Sequence, residues 1–219
     1  MRPVLLLSAL SILAVAPPAT AQSSGVQLAS AQRAAWGRPG STTLRTGGEN
    51  VRFSGGQLVA TPFGPVLVAP GSVGQFSHVS PGRIGAFYLR RAGNGFVRGR
   101  AYPSAVVGGS MGSLSEWSVS RAFGPRPVIY AEGGFTGQGL TCATATLTAL
   151  TPAGPVEIAQ IPTVYENGNN RRSIEGKIGA IVPGRSFVVN YSGSMRFRDT
   201  YAWSNGRYRL QGRSRMPTC

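Results

Sequence analysis

Gly108-Gly109-Ser110-Met111-Gly112 reproduces the G-x-S-x-G spacing of a nucleophile elbow, and it follows the apolar run Ala105-Val106-Val107. That chemistry needs a strand-to-helix turn that exposes the serine, with an acid and then a histidine later in the chain. The single histidine, His78, precedes Ser110, and no helix-forming stretch follows the motif. In a chain with 31 glycines the pattern arises readily by chance, so a serine hydrolase is not expected. His78 is the right residue type for a general base, but a lone histidine in a loop or strand more often serves as a surface or hydrogen-bonded residue. One histidine, two cysteines and scattered carboxylates supply too few ligands for zinc. No loop of the P-loop type occurs. The sequence therefore assigns no catalytic residue, no metal and no cofactor.

Two groups of residues remain. Glu116, Glu132, Glu157, Glu166, Glu175 and Asp199 lie far apart along the chain, yet two of them can still meet in space. β-Sandwich glycosidases assemble a carboxylate pair in this way, which makes a carbohydrate-active hydrolase the enzymatic alternative. The other group is the arginines near the C-terminus. The stretch from Met195 to Ser204, then Asn205-Gly206, then Arg207 to Arg215 has the form of a β-hairpin, because Asn-Gly between two alternating runs favours a two-residue type I′ turn. Such a turn sets Ser204 opposite Arg207. Phe197, Tyr201, Trp203, Tyr208 and Leu210 then share one face, suited to packing on a second sheet.

On the other face the same register places Arg196 opposite Arg215, Arg198 opposite Arg213, and Ala202 opposite Arg209, with Arg207 near the turn. Like charges directly opposite one another are destabilising, and an anion would relieve the repulsion by accepting bidentate hydrogen bonds from the guanidinium groups. Arg196, Arg198, Arg207, Arg209, Arg213 and Arg215 are accordingly the expected anion-binding set. The competing reading is that long arginines simply splay into solvent, where salt screens them. Arg90-Arg91, Arg98 and Arg100, and Arg171-Arg172 flank two further turns and either extend the basic surface or are ordinary solvated residues.

The start of the chain bears on the partner. Arg2, the apolar run from Val4 to Ala16, and Ala19-Thr20-Ala21 read as a signal peptide over 1–21, cleaved before Gln22. An apolar run of this length is too short to span a bilayer core of about 30 Å, and no later stretch is apolar enough for a transmembrane helix. Removing Arg2 leaves 21 basic and 7 acidic residues, a formal charge of +14. Lys177 is the sole lysine, as GC-rich coding would produce, but codon bias does not explain the scarcity of acids. A field of this sign attracts polyanions without specifying one. Export to the periplasm or beyond points to an anionic polysaccharide, lipopolysaccharide or lipid headgroups and away from nucleic acid. It also favours a disulfide between Cys142 and Cys219, since the compartment is oxidising and neither cysteine has another partner.

The elements that must position these residues are strands. Residues 22–50 are rich in Ser, Gly, Ala, Gln and Thr and read as a flexible lead-in, with a short helix near 28–36 the exception allowed. After residue 50, short β-branched and aromatic runs alternate with Gly, Pro and Asn. Strands are predicted near 51–60, 64–69, 83–91, 96–102, 114–121, 127–132, 140–150, 155–161, 173–182, 186–192, 195–204 and 207–214. The fold class is all-β, an antiparallel β-sandwich of immunoglobulin/fibronectin-like or jelly-roll-like form. Phe123-Gly124-Pro125-Arg126-Pro127 is the candidate boundary between an N-terminal β region, 51–125, and a C-terminal sandwich, 126–219. The segment Ile181-Val182-Pro183-Gly184-Arg185-Ser186-Phe187 resembles the turn before a late strand in fibronectin-type and immunoglobulin-like sandwiches, with Phe187 where a tyrosine usually sits. Aromatic-out, arginine-in alternation also describes a small outer-membrane β-barrel. Against a barrel stand the frequent prolines, Asp199 on the lipid side and a chain that ends in Cys219.

Overall fold

The computed structural model describes residues 20–219, so the expected signal peptide, apart from its last two positions, lies outside the described residues. Helix α1 (Thr20–Trp36) leads into a first antiparallel sheet of six strands: β1 (Thr42–Thr46), β2 (Glu49–Phe53), β3 (Gln57–Val59), β4 (Val66–Val73), β5 (Gly82–Ala92) and β6 (Gly95–Gly108). Eight more strands form a second antiparallel sheet: β7 (Glu116–Ser120), β8 (Val128–Gly137), β9 (Leu140–Thr151), β10 (Gly154–Asn167), β11 (Arg172–Val182), β12 (Ser186–Gly193), β13 (Phe197–Ser204) and β14 (Arg207–Leu210). The class is all-β and sandwich-like, as the texture of the sequence indicated.

The second sheet follows chain order from β7 to β14, each strand pairing with its sequence neighbour. Immunoglobulin-like and jelly-roll sandwiches instead bring non-consecutive strands together through Greek-key connections. Here the sandwich arises because one meander curls until β11–β14 cover β7–β10. Val128, Ala145, Leu147 and Ile161 from one half pack with Phe187, Val189, Tyr191, Tyr201 and Tyr208 from the other. Phe187 is the hub: it stacks on Tyr201 at 4.9 Å and meets Tyr208 and Phe123 edge-on at 5.0 and 5.6 Å. Aromatic pairs in such geometries add about 1 kcal/mol each beyond area burial. The hydroxyl that Phe187 lacks is supplied nearby, since Tyr208 donates to the Phe123 carbonyl at 2.9 Å.

The first sheet packs on the outer side of the β7–β9 half. Val66, Val68, Ile84, Ala86 and Val106 meet Ile129, Ala131 and Leu150 there. Its other face receives α1. Burial on both faces explains why β4 opens with four consecutive buried apolar residues, Val66-Leu67-Val68-Ala69, rather than with alternation. Between the sheets the chain backbones approach closely, and a Cβ added to Gly133 would lie 2.2 Å from the Gly109 nitrogen. Only glycine allows that approach.

The segment read as a flexible lead-in is ordered and carries α1, β1 and the start of β2. Leu28, Ala31, Gln32 and Ala35 follow helical spacing, with Ala31 and Ala35 fully shielded from solvent. Small alanines let the helix sit close to the sheet, and Trp36 packs edge-on against Phe87 at 5.3 Å. Gln32 donates to the Gly55 carbonyl and accepts from the Gly40 amide, both at 2.8 Å. A count of large apolar residues misses this anchoring, which small side chains and one amide achieve. The change of sheet falls between Gly108 and Glu116, ahead of the Phe123–Pro127 break.

Burial raises the phenols of Tyr88, Tyr130, Tyr191, Tyr201 and Tyr208, those of Tyr88 and Tyr201 to about 12. Unfolded tyrosines ionise near pH 10, so above that pH the unfolded chain has released protons that the folded chain retains. Stability should therefore hold below pH 10 and fall steadily between about pH 10 and 12. Denaturation midpoints measured along that range check this, and a flat profile would contradict it.

Candidate functional site

β13 and β14 pair as expected from the Asn-Gly turn: Ser204 faces Arg207, Trp203 faces Tyr208, Ala202 faces Arg209, and Tyr201 faces Leu210. Asn205 and Gly206 take positive φ of 50° and 80°, as a type I′ turn requires. Arg198, Arg207 and Arg209 stand exposed on the outer face, with Arg196 exposed just before β13. Arg198 lies opposite Asn190 of β12. The outer-face positions of β12–β14 include no acidic residue, because Asp199 points inward and is buried.

The pairing ends sooner than the sequence pattern suggests. Gln211 still donates to the Thr200 carbonyl at 2.8 Å, but Gly212 then turns the chain with φ of 80°. Arg213 and Arg215 therefore do not stand opposite Arg198 and Arg196. The tail crosses to the inner side, where Ser214 donates to the Asp199 carboxylate at 2.5 Å and Met216 enters the core. The Arg215 guanidinium lies 5.5 Å from the centre of the Phe197 ring, which belongs to the apolar face. The Cys142–Cys219 disulfide, with Cα atoms 6.3 Å apart, ties the last residue to β9. A buried aspartate needing a donor and a covalent tie to β9 both draw the tail inward.

The other arginines are dispersed. Arg90, Arg91, Arg98 and Arg100 belong to the β5–β6 hairpin of the first sheet, with Arg91 over the Phe96 ring, while Arg171 and Arg172 sit at the β10–β11 turn. Arg83, which sequence reasoning passed over, is buried on β5 and holds Glu49 in an ion pair at 2.7 Å. Nothing in its local sequence separates it from the exposed arginines.

Among the carboxylates, Glu116 and Glu132 are direct partners on β7 and β8. Both line a cavity of about 440 Å³ on the concave side of the curled sheet, between the β7 edge and β11. Ser118, Ser120, Tyr130, Thr163, Ile178 and Ile181 complete most of its wall, with Glu175 and Lys177 at the rim. Tyr130 donates to Glu132 at 2.9 Å. Its phenol is pushed up first by burial and then by the Glu132 and Glu116 charges, so it remains a donor. The sequence distance between β7 and β8 strands hid this pair, although only a hairpin separates them.

Ser110 and His78 do not form a nucleophile site. Ser110 lies in a tight loop bridged to Ser113 and donates to the Gly134 carbonyl at 2.8 Å, and no helix follows it. His78 is exposed in the loop between β4 and β5. A second, largely apolar cavity of about 660 Å³ is lined by Trp203, Tyr208 and Phe123, the last of which also borders the acidic cavity. Among the described residues no three of His, Cys, Asp and Glu gather as metal ligands, and no helix is long and apolar enough to cross a membrane. Fold and sites together define an all-β, disulfide-linked, sandwich-like protein. Compared with known proteins, no family model matches the chain, and neither a curated protein nor a solved structure does.

Proposed function

We propose that the chain is an exported, non-enzymatic β-sandwich protein that contacts an anionic envelope component through the outer face of β12–β14. Anionic polysaccharide, lipopolysaccharide and lipid headgroups share the chemistry, which is a surface dense in phosphate, sulfate or carboxylate groups. The observation that carries the reading is the register of the β13–β14 hairpin, which leaves Arg198, Arg207 and Arg209 on one exposed face without an acidic neighbour on those strands. Arg196 adjoins them. The fork geometry of arginine suits such groups, and no carboxylate on the outer face of β12–β14 competes for the forks, the nearest outer-face one on β11, Glu175, being paired with Lys177. Export is the second support, since it removes nucleic acid from the accessible polyanions.

Polyanion chromatography tests the reading. Changing Arg198, Arg207 and Arg209 to Ser should move elution from heparin to distinctly lower salt, and should do so more than changing the equally exposed Arg33, Arg38 and Arg45 to Ser. Equal shifts from the two triple variants would reduce the effect to net charge and sink the proposal.

A carbohydrate-active hydrolase is the second reading, favoured by one observation: Glu116 and Glu132 face one cavity as direct cross-strand partners. Directly opposed residues have Cβ atoms about 5 Å apart, within the range a glycosidase pair needs. Hydrolysis of aryl glycosides that disappears in E132Q would establish it. The barrel alternative gains no such support, because the aromatic face of β12–β14 closes on a packed interior while the arginines face outward.

A further inference from the structure

The second sheet is an antiparallel meander, so every other turn falls at the same end of it. The turns β7–β8, β9–β10, β11–β12 and β13–β14 gather there, and the apolar cavity of about 660 Å³ lies among them, a size suited to one small molecule. Val128, Ala149 and Ile158 are buried in its wall, whereas Val156 and Trp203 are 45 % and 43 % exposed at its mouth. Trp203 shares the inward face of β13 with Asp199 and Tyr201, both buried, so burial stops short at this end. Two large apolar side chains left uncovered beside one concavity mark a surface that meets an apolar partner.

The wall is held in place by its own backbone. The Phe123 carbonyl accepts hydrogen bonds from the Gly184 amide at 2.8 Å and the Tyr208 hydroxyl at 2.9 Å, and the Arg185 carbonyl accepts one from the Trp203 amide at 2.7 Å. These bonds link three of the four turns. Thr151, the other hydroxyl of the wall, donates to the Gly154 carbonyl. With both hydroxyls bonded to backbone, the interior offers contact to hydrocarbon rather than to a polar ligand.

Charge supplies an independent sign. Arg126 is the one charged residue of the lining, and Arg185 directly follows the lining residue Gly184. Both are exposed, and neither has a carboxylate partner among the described residues. The four turns contain no acidic residue. Glu157, between the lining residues Val156 and Ile158, stands outside the lining and bonds to Gln160. On the far side of Gly206, Arg207 begins the arginine face.

We infer that the cavity takes one hydrocarbon chain of an anionic lipid, with the chain against Val128, Ile158 and Trp203 and the phosphate or carboxylate head at Arg126 and Arg185. Burial of the chain supplies most of the affinity, and the guanidinium forks select the anion. Trp203 at the mouth suits the boundary between chain and water. The inference rests on the proposed contact with an anionic envelope component, and among its candidates it selects those with an acyl chain, since a polysaccharide has nothing to fill an apolar cavity.

Titration calorimetry with dodecyl phosphate below its micelle-forming concentration tests the inference, against butyl phosphate, which keeps the head, and dodecyl maltoside, which keeps the chain. Dodecyl phosphate should saturate one site. Butyl phosphate should bind at least about 100-fold more weakly, and dodecyl maltoside about tenfold more weakly. The R126S and R185S double variant should bring dodecyl phosphate down to the affinity of the maltoside and leave the maltoside unchanged. Because Val156 is exposed, V156D should abolish both while leaving the urea midpoint nearly unchanged. A dodecyl phosphate brominated at its chain end should quench tryptophan fluorescence in the parent and not in W203F, since Trp36 and Trp117 pack on the two faces of the first sheet. No saturable binding of dodecyl phosphate, equal binding of butyl phosphate, quenching that persists in W203F, or a dimer dispersed by V156D in place of amphiphile binding would overturn the inference. A heparin shift specific to the strand arginines without dodecyl phosphate binding would leave the arginine face standing and remove its lipid ligand. Dodecyl phosphate binding without that shift would uphold the cavity alone.

Discussion

Replacing Phe187 by alanine should lower stability by about 4 kcal/mol, the range found for deleting a fully buried aromatic side chain. Phe187 is completely shielded from solvent and touches the rings of Phe123, Tyr201 and Tyr208, so one truncation removes three aromatic contacts at once. The two halves of the curled sheet meet at this point. The cavity left behind would be lined by rings fixed on β13 and β14 and by Phe123, whose carbonyl accepts hydrogen bonds from Tyr208 and from the Gly184 amide. Those bonds limit collapse into the space, which places the cost toward the upper part of the range. Urea denaturation, read as a midpoint shift at constant slope, measures it. A loss below about 1 kcal/mol, the level of an ordinary substitution, would mean that the halves are held together elsewhere.

Removing the disulfide should have an effect of similar size. Cys142 and Cys219 are 77 positions apart, and in the chain-entropy model closing a loop of that length restricts the unfolded chain by about 4 kcal/mol. The native state would also lose order, because the tail from Gly212 onward is held by the bridge, by the Ser214–Asp199 hydrogen bond and by burial of Met216. The C142S and C219S double variant should denature at markedly lower urea, and a carboxypeptidase should trim its tail while sparing the oxidised parent. Equal midpoints with and without reductant would contradict this. Either result bears on the arginine face as well: Arg213 and Arg215 travel with the tail, so releasing it should alter polyanion retention less than the strand variants do.

The arginine face and the acidic cavity use opposite faces of the second sheet, on different strands. Along β13, residues 198, 200, 202 and 204 point outward, whereas residues 197, 199 and 201 point inward, so opposite chemistries can be kept on the two sides without long-range design. Concentration of basic side chains on the outside also leaves the Glu116–Glu132 pair without an internal counter-charge.

Local pattern alone determined the all-β class, a strand near each of the twelve predicted positions, the Asn-Gly hairpin and its register, and the pairing of the two cysteines. These depend on alternation, turn chemistry and the count of thiols, which are properties of neighbouring residues or of the chain inventory. Tertiary structure decided the rest. It ordered the N-terminal segment through small alanines whose value appears only when a sheet lies beneath them. Gly212 and the buried Asp199 took Arg213 and Arg215 off the strand, because a hairpin rule cannot anticipate where a tail finds its hydrogen-bond donor. The carboxylate pair faces a cavity closed on its far side by β11 only because one meander curls over itself, and that curvature is set by packing between halves far apart in the chain.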